Sequence, residues 1–270
     1  MPRVEVRGRP GWRRRTPLRS ALVATGWTLG LALVVASWTV ISEQTIWLFV
    51  ADAPEQAGNL LRRMLPPRWS YAPGLARPLW DTVNIATLGT LGALVLAVPV
   101  ALLAARTTTP HPLFRAAALL VIVASRSIHS LVWALLLVYL IGPGVFAGTV
   151  AIAFRSVGFV AKLLHEAIEE TDARQIEAVR STGAGPGEVM TYGIVPQVLP
   201  AFAGISVFRW DINVREATFL GLVGAGGIGL QLSAAINALR WSEASVILLA
   251  IFVLVLFSEW ASARIRAAIV

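Results

Sequence analysis

Between Asp172 and Pro200 the chain reads DARQIEAVRSTGAGPGEVMTYGIVPQVLP. Its local chemistry predicts two short helices joined by a turn. Asp172 suits an N-cap, with Gln175 three residues on in a capping-box-like arrangement. Ile176, Ala178 and Val179 form an apolar edge, while Arg174, Glu177 and Arg180 stay polar. Gly183 and Gly185 end the first helix. Pro186 fits the first turn of the second, and Glu188 meets its dipole. Pro196 and Pro200 punctuate the entry to the next apolar run. A helix pair of this kind suits docking; an amphipathic connector lying on a lipid surface is the plainer alternative.

The rest of the chain explains why such a segment stands out. Of 270 residues, 56% are hydrophobic and 14% charged, and the mean hydropathy is +0.70. An average soluble domain is about a quarter charged, so the composition places the chain in the membrane class. There is no cysteine, which excludes disulfides, thiol nucleophiles and Cys-based metal sites. The net charge is +8. Much of it sits in the N-terminal arm, on Arg3, Arg7, Arg9, Arg13, Arg14, Arg15 and Arg19, next to an apolar run. That placement reads as a topology signal on anionic lipid rather than as a nucleic-acid site.

A spanning helix needs about 20 mostly apolar residues. Six candidates are expected, all helical because lipid leaves no partner for an open strand. They are Ala21–Ile41 (a retained signal-anchor), Thr82–Ala105 (Pro99 a candidate kink), Leu113–Ile141 (interrupted at Ser125–Ser130), Val145–Leu164, Ile194–Ile212 and Ala244–Ala263. With the N-terminus inside, the arm together with Arg106, Arg115, Lys162, Arg174, Arg180, Arg264 and Arg266 is cytoplasmic. Only Arg62, Arg63, Arg68, Arg77 and Arg240 fall outside. This asymmetry predicts that both termini are cytoplasmic. Trp47, Trp80 and Trp241 fall at the outer interface. The external segment Ser42–Leu79 contains LPPRWSYAPG, read as extended or lying along the surface.

The opening stretch therefore lies in the cytoplasm. Its Glu177-Ala178, Gly183 six residues after the Glu, and Val195-Pro196 resemble the EAA loop of binding-protein-dependent ABC importer permeases, roughly E-A-A-x3-G-x9-I-x-L-P. Val179 replaces the second Ala, Gly193 the Ile and Val195 the Leu. RSIHSLVWALLLVYLIGPGVFAG (Arg126–Gly148), FRSVGFVAKLLHEAIEE (Phe154–Glu170) and RWDINVREATFLGLVGAGGIG (Arg209–Gly229) are similar to phosphonate-type permeases. The resemblance covers most of residues 80–264 and little of residues 1–79. It implies an all-α, polytopic type I ABC importer (MetI-like) permease fold of about six transmembrane helices. It further implies a division into residues 1–79 (arm, first span, external segment) and a core of residues 80–270, with the coupling loop at residues 166–193.

Function follows from the same resemblance. It implies import of phosphonate, phosphate or related oxyanions across a bacterial inner membrane. The expected partners are a second copy of the chain, two cytoplasmic ATPase subunits, an extracytoplasmic solute-binding protein and membrane lipid. Glu177, Ala178, Arg180, Gly183 and Pro196 are the expected ATPase-coupling residues. Gly224-Ala-Gly226-Gly227-Ile-Gly229 matches GxGxxG only formally, with no strand before it and no βαβ unit. These glycines are instead expected at an outer gate or close helix approach. No GxxxxGK[ST] is present, so no nucleotide cofactor is expected and ATP hydrolysis falls to a partner.

The ionisable residues inside the spans complete the reading. Charge in a bilayer usually faces a partner or a watery path, and arginine meets oxyanions bidentately. Arg209, Arg215 and Arg126 are the pathway candidates, with Asn213 as a further candidate or a helix-to-helix hydrogen bond. Internal pairing is the alternative, such as Arg209 with Asp211 or Arg155 with Glu216. His111 and His165 are expected at the interface. The three scattered histidines do not make a metal site or an intramembrane hydrolase.

Overall fold

A computed structural model describes residues 3–6, 9–12 and 17–269, with side-chain surroundings from residue 18 onward. Arg7, Arg13, Arg14 and Arg15 of the basic arm lie outside the described residues. Backbone contacts divide the chain into two units, Met1–Asn59 and Leu60–Val270.

The first unit begins with an antiparallel hairpin, β1 (Arg3–Val6) and β2 (Arg9–Trp12), with Val6 opposite Arg9. The sequence reading did not foresee it. Helix α1 (Pro17–Gln44) is apolar on every side, as a lipid-facing span is. After a short break comes α2 (Trp47–Met64). Trp47 Nε1 donates back to the Ser42 carbonyl at 3.2 Å. Helical spacing puts Asp52, Glu55, Asn59, Arg62 and Arg63 on one face of α2 and Val50, Pro54, Ala57, Leu61 and Met64 on the other. The segment Ser42–Leu79 is largely helical, and within its LPPRWSYAPG run the residues from Trp69 form a helical turn rather than extended chain; the apolar face of α2 suits a membrane interface.

The second unit is a bundle around α3 (Ala76–Ala104) and α6 (Val145–Glu169). α3 buries Ala86, Gly89, Ala93, Ala97 and Ala101 along one stripe. Small residues are what such an interface requires, because association in lipid relies on close packing. A Cβ on Gly89 would come within 2.7 Å of Ile152 Cγ2 on α6. Pro99 lies inside α3 without ending it.

The run read as one third span is two helices, α4 (Pro112–Ser127) and α5 (Ser130–Ile141), bent by 88°. Each takes its cap from a histidine: Leu113 N donates to His111 Nδ1 and Leu131 N to His129 Nδ1, both at 3.2 Å. His165 of α6 is buried among the helices, at 5% exposure.

α7 (Ala173–Ser181) and the short α8 (Pro186–Glu188) follow α6, and a π-helical turn, Val189–Ile194, leads into α9 (Val195–Leu220). This fifth span runs helically from Pro186 to Val223, well beyond the predicted bounds. α10 (Ile228–Asn237) is short, and α11 (Trp241–Ile269) is the last apolar helix. Among the described residues, five helices are long and apolar enough to cross a membrane, or six if the bent pair counts as one.

The turn Trp69–Leu75 belongs to this second unit. Arg68 reaches Glu243 at 2.9 Å, Tyr71 Oη donates to Gln231 at 3.1 Å, and Leu75 packs with Ile228 and Ile247.

Candidate functional site

The polar residues of α9 fall on two faces. Arg209, Asn213 and Glu216 are four and three residues apart and share one face; Asp211 and Arg215, four apart, share another. Arg209 is only 3% exposed. It donates to Ser156 Oγ on α6 at 2.9 Å and to Glu216 Oε1 at 3.3 Å. Arg155 of α6 approaches the same carboxylate oxygen at 3.9 Å. Asn213 donates to Thr90 on α3 at 2.7 Å and to Ser156 at 3.1 Å, so it ties three helices. On the other face Arg215 pairs with Asp211, which also accepts from Ser258 of α11 at 2.9 Å.

Of the pairings named from sequence, Arg155 with Glu216 is present. Arg209 pairs with Glu216 rather than Asp211. Two guanidinium groups share one carboxylate here, while Arg215 and Asp211 balance, so the junction carries an excess of positive charge. Arg126 stands exposed, and its carbonyl, not its side chain, is engaged: Arg155 Nη1 donates to it at 3.1 Å and to the Ile128 carbonyl at 3.3 Å. Arg155 thus caps the open end of α4 at the break.

A cavity of about 490 Å³ opens beside that break. Its polar wall is His129, Ser130, Arg215 and Glu216, flanked by Leu131, Phe208 and Phe219. Arg215 brings an exposed guanidinium to it, with 43% of its side chain accessible. Ser130 was not singled out as a site residue, because the sequence marks SRSIHS as an interruption without showing which of its side chains is left unpartnered.

The segment Asp172–Pro200 is organised differently. α7 turns Ile176 and Val179 inward against Gly193, whose Cα would place a Cβ 3.6 Å from Ile176 Cα. A Cβ at Gly193 would thus lie in ordinary van der Waals contact with α7. Glu177, Ala178, Arg180, Gly183 and Pro196 are exposed. Gly183 has φ +86° with nothing near a Cβ, so backbone conformation rather than space requires glycine.

Asp172 caps α7 by accepting from Arg174 N at 2.9 Å. Its own N–H donates to Gln197 at 2.9 Å, so the distant Gln197, not Gln175, completes the cap. Hydrogen bonds from the Arg174 side chain, then its backbone N–H, hold the Asp172 carboxyl below its usual range. A depressed carboxyl stabilises the fold above its unfolded value near about 3.9 and loses that contribution as pH falls through the lower, folded value. Amide exchange across residues 174–180 should therefore be unchanged by this group between about pH 7 and 5. It should quicken at pH 7 in Asp172→Ala, and a variant with wild-type exchange would refute the cap's role.

The glycine-rich segment forms a packed joint. Gly226, Gly227 and Gly229 are buried and Gly224 half-buried. Gly224 accepts from Gly144 N at 3.0 Å, and Ile228 N donates to Thr82 Oγ1 at 2.8 Å. A Cβ on Gly227 would lie 2.6 Å from Thr82 Oγ1. Gly224, Gly226 and Gly227 have positive φ, which only glycine adopts at little cost. Among the described residues, no group of acidic or histidine side chains could hold a metal.

Comparison with known proteins places this architecture. The family described as "Binding-protein-dependent transport system inner membrane component" matches residues 97–268. The phosphite transport system permease protein PtxC of Stutzerimonas stutzeri is 34% identical over 268 residues, covering 97% of both chains. The phosphate-import permease protein PhnE of Mycolicibacterium smegmatis is 39% identical over 87% of this chain, which spans only 44% of that relative's length. A chain from inward-facing structures of the MetNI methionine ABC transporter superposes with a TM-score of 0.61 at 25% identity, covering 73% of this chain and 96% of that one. The chain belongs to the binding-protein-dependent transport system inner membrane component family, the multi-pass permease component of ABC importers.

Proposed function

We propose that this chain is the transmembrane subunit of an ATP-driven importer for phosphonate, phosphate, phosphite or a related oxyanion. The observation that carries the substrate class is its likeness to a phosphite permease along 97% of both chains. The excess positive charge at the α6–α9 junction supports it. One bundle supplies half a pathway, so two copies work about a twofold axis. An extracytoplasmic binding protein delivers the anion, and both termini face the cytoplasm. Two separate ATPase subunits dock on the exposed face of α7, through Glu177, Ala178, Arg180, Gly183 and the neighbouring Pro196.

In the pathway, Arg215 is the arginine whose guanidinium lines the cavity at the break. Arg209 and Asn213 hold the helices that carry it, and Arg126 lies across the break. The buried joint at Gly224, Gly226, Gly227 and Gly229 closes the outer mouth.

Reconstitution of the chain with its ATPase and binding protein in liposomes tests this reading. Labelled phosphite, phosphate or methylphosphonate should accumulate only with ATP. A cysteine replacing Ser181, beside the exposed face of α7, should cross-link to the ATPase. Cross-links to the binding protein instead, or ATP-driven uptake of neutral solutes only, would overturn it.

A further inference from the structure

We propose that the cavity at the break between α4 and α5 is a transit site for one tetrahedral oxyanion that still carries a proton, held by the start of α5, the Ser130 hydroxyl and Arg215. The proposal rests on the oxyanion-importer reading and locates where that anion pauses.

Ser130 is the first residue of α5, is 0% exposed and lines the cavity. Its Oγ has no hydrogen-bond partner. A buried hydroxyl left unsatisfied is destabilising, and hydroxyls elsewhere in these helices avoid it by bonding one turn back. Ser127 reaches the Val123 carbonyl at 2.7 Å, and Thr149 the Val145 carbonyl at 2.9 Å. Ser130 has no such carbonyl, because the helix begins there after the 88° bend. The Leu131 N–H is already engaged by His129 Nδ1. The helix therefore offers the cavity its Ser130 end and the positive end of its dipole.

Two further groups complete the site. Arg215 uses Nη2 for Asp211, which leaves other donors of its planar fork for an anion. Glu216 lines the same cavity, and its buried Oε2 also has no partner. A bare carboxylate repels a fully ionised anion but accepts a hydrogen bond from a P–OH group. Hydrogenphosphate and hydrogen alkylphosphonates carry that O–H at neutral pH; sulfate does not. Arg155 and Arg209 offset the Glu216 charge from behind. Attraction from Arg215 and Ser130 set against the carboxylate gives the weak hold that passage needs.

The test uses the purified permease–ATPase complex in detergent without binding protein. Millimolar phosphate or methylphosphonate should raise its melting temperature, and equimolar sulfate should not. Ser130→Ala should keep or raise the resting melting temperature, since it removes an unsatisfied buried group, yet lose most of the phosphate increment. In liposomes its uptake should fall about tenfold, the worth of one hydrogen bond to a charged group. A lower resting melting temperature would make the hydroxyl structural and overturn the proposal. So would an undiminished phosphate increment, equal stabilisation by sulfate, or an increment given by phosphatidylglycerol and not by phosphate. If wild type imports phosphate and Ser130→Ala does so equally well, the transit site alone fails. If wild type imports no oxyanion, the importer reading itself fails.

Discussion

Glu216→Gln should destabilise the protein by about 3–5 kcal/mol, because it leaves two guanidinium groups beside each other with no anion. Arg209 is nearly inaccessible to water, and Arg155 lies 3.9 Å from the same carboxylate oxygen. Arg209→Gln should be milder, since Glu216 then keeps Arg155. The double variant Arg209→Gln/Glu216→Gln should regain much of the loss from Glu216→Gln alone, because the remaining Arg155 still holds the Arg126 and Ile128 carbonyls. Thermal unfolding in detergent, run as a double-mutant cycle, checks this. Equal damage from both single variants, without recovery in the double, would refute the shared carboxylate. If Arg209→Gln loses oxyanion uptake at unchanged stability, Arg209 belongs to the pathway as well as to the scaffold.

Gly229→Ala is the second large effect, expected to lose at least about 3 kcal/mol or to prevent assembly. The new Cβ would collide with the Thr218 carbonyl oxygen and lie 3.0 Å from Gly221 Cα. Both obstacles are backbone, so no side chain can swing aside. Gly92→Ala in α3 is the control. There the nearest atom, Ala153 Cβ, would be 3.9 Å away, and alanine in a helix interior should stabilise by about 0.5–1 kcal/mol. Yield of monodisperse protein and melting temperature distinguish the two. A Gly229→Ala protein as stable as Gly92→Ala would show that the joint can open freely.

The parts of this fold legible in the sequence are those set by transfer from water to lipid. α3 and α11 stand out because long uncharged runs have no other use, and α6 because its apolar residues outweigh Arg155 and Lys162. α7 was legible because its polar face and turn residues interrupt such runs. α2 was hidden by Pro54 and by the proline-rich segment after it, which suggest extended chain when read locally. The interruption at Ser125–Ser130 was visible, but neither its 88° angle nor the hold of Arg155, 29 residues after Arg126, on its carbonyls was. The pairing of Arg209 was misread from sequence proximity. Residues two apart on a helix face different ways, so Arg209 meets Glu216 two turns on, while Asp211 meets Arg215. That signal was present in the helical period. The unpartnered Ser130 left none, because an unsatisfied group exists only once its surroundings are built.

The clamp at the break has a mechanical consequence. Arg155 holds two carbonyls at the end of α4, and Ser125 of α4 bonds the Phe154 carbonyl and the Gly158 N–H of α6. At the far end of α6, Glu169 takes the Arg106 N–H at 2.8 Å and sits 4.0 Å from Arg115, bracing the ends of α3 and α4. α6 is 25 residues long, a strut of roughly 37 Å at 1.5 Å per residue. Fastened near its middle, at Phe154, Arg155 and Gly158, and at its C-terminal end, at Glu169, it cannot slide past α4 without breaking these ties. On the coupling proposed above, a push at α7, only three residues beyond α6, would tilt this braced frame and carry the cavity at the break with it.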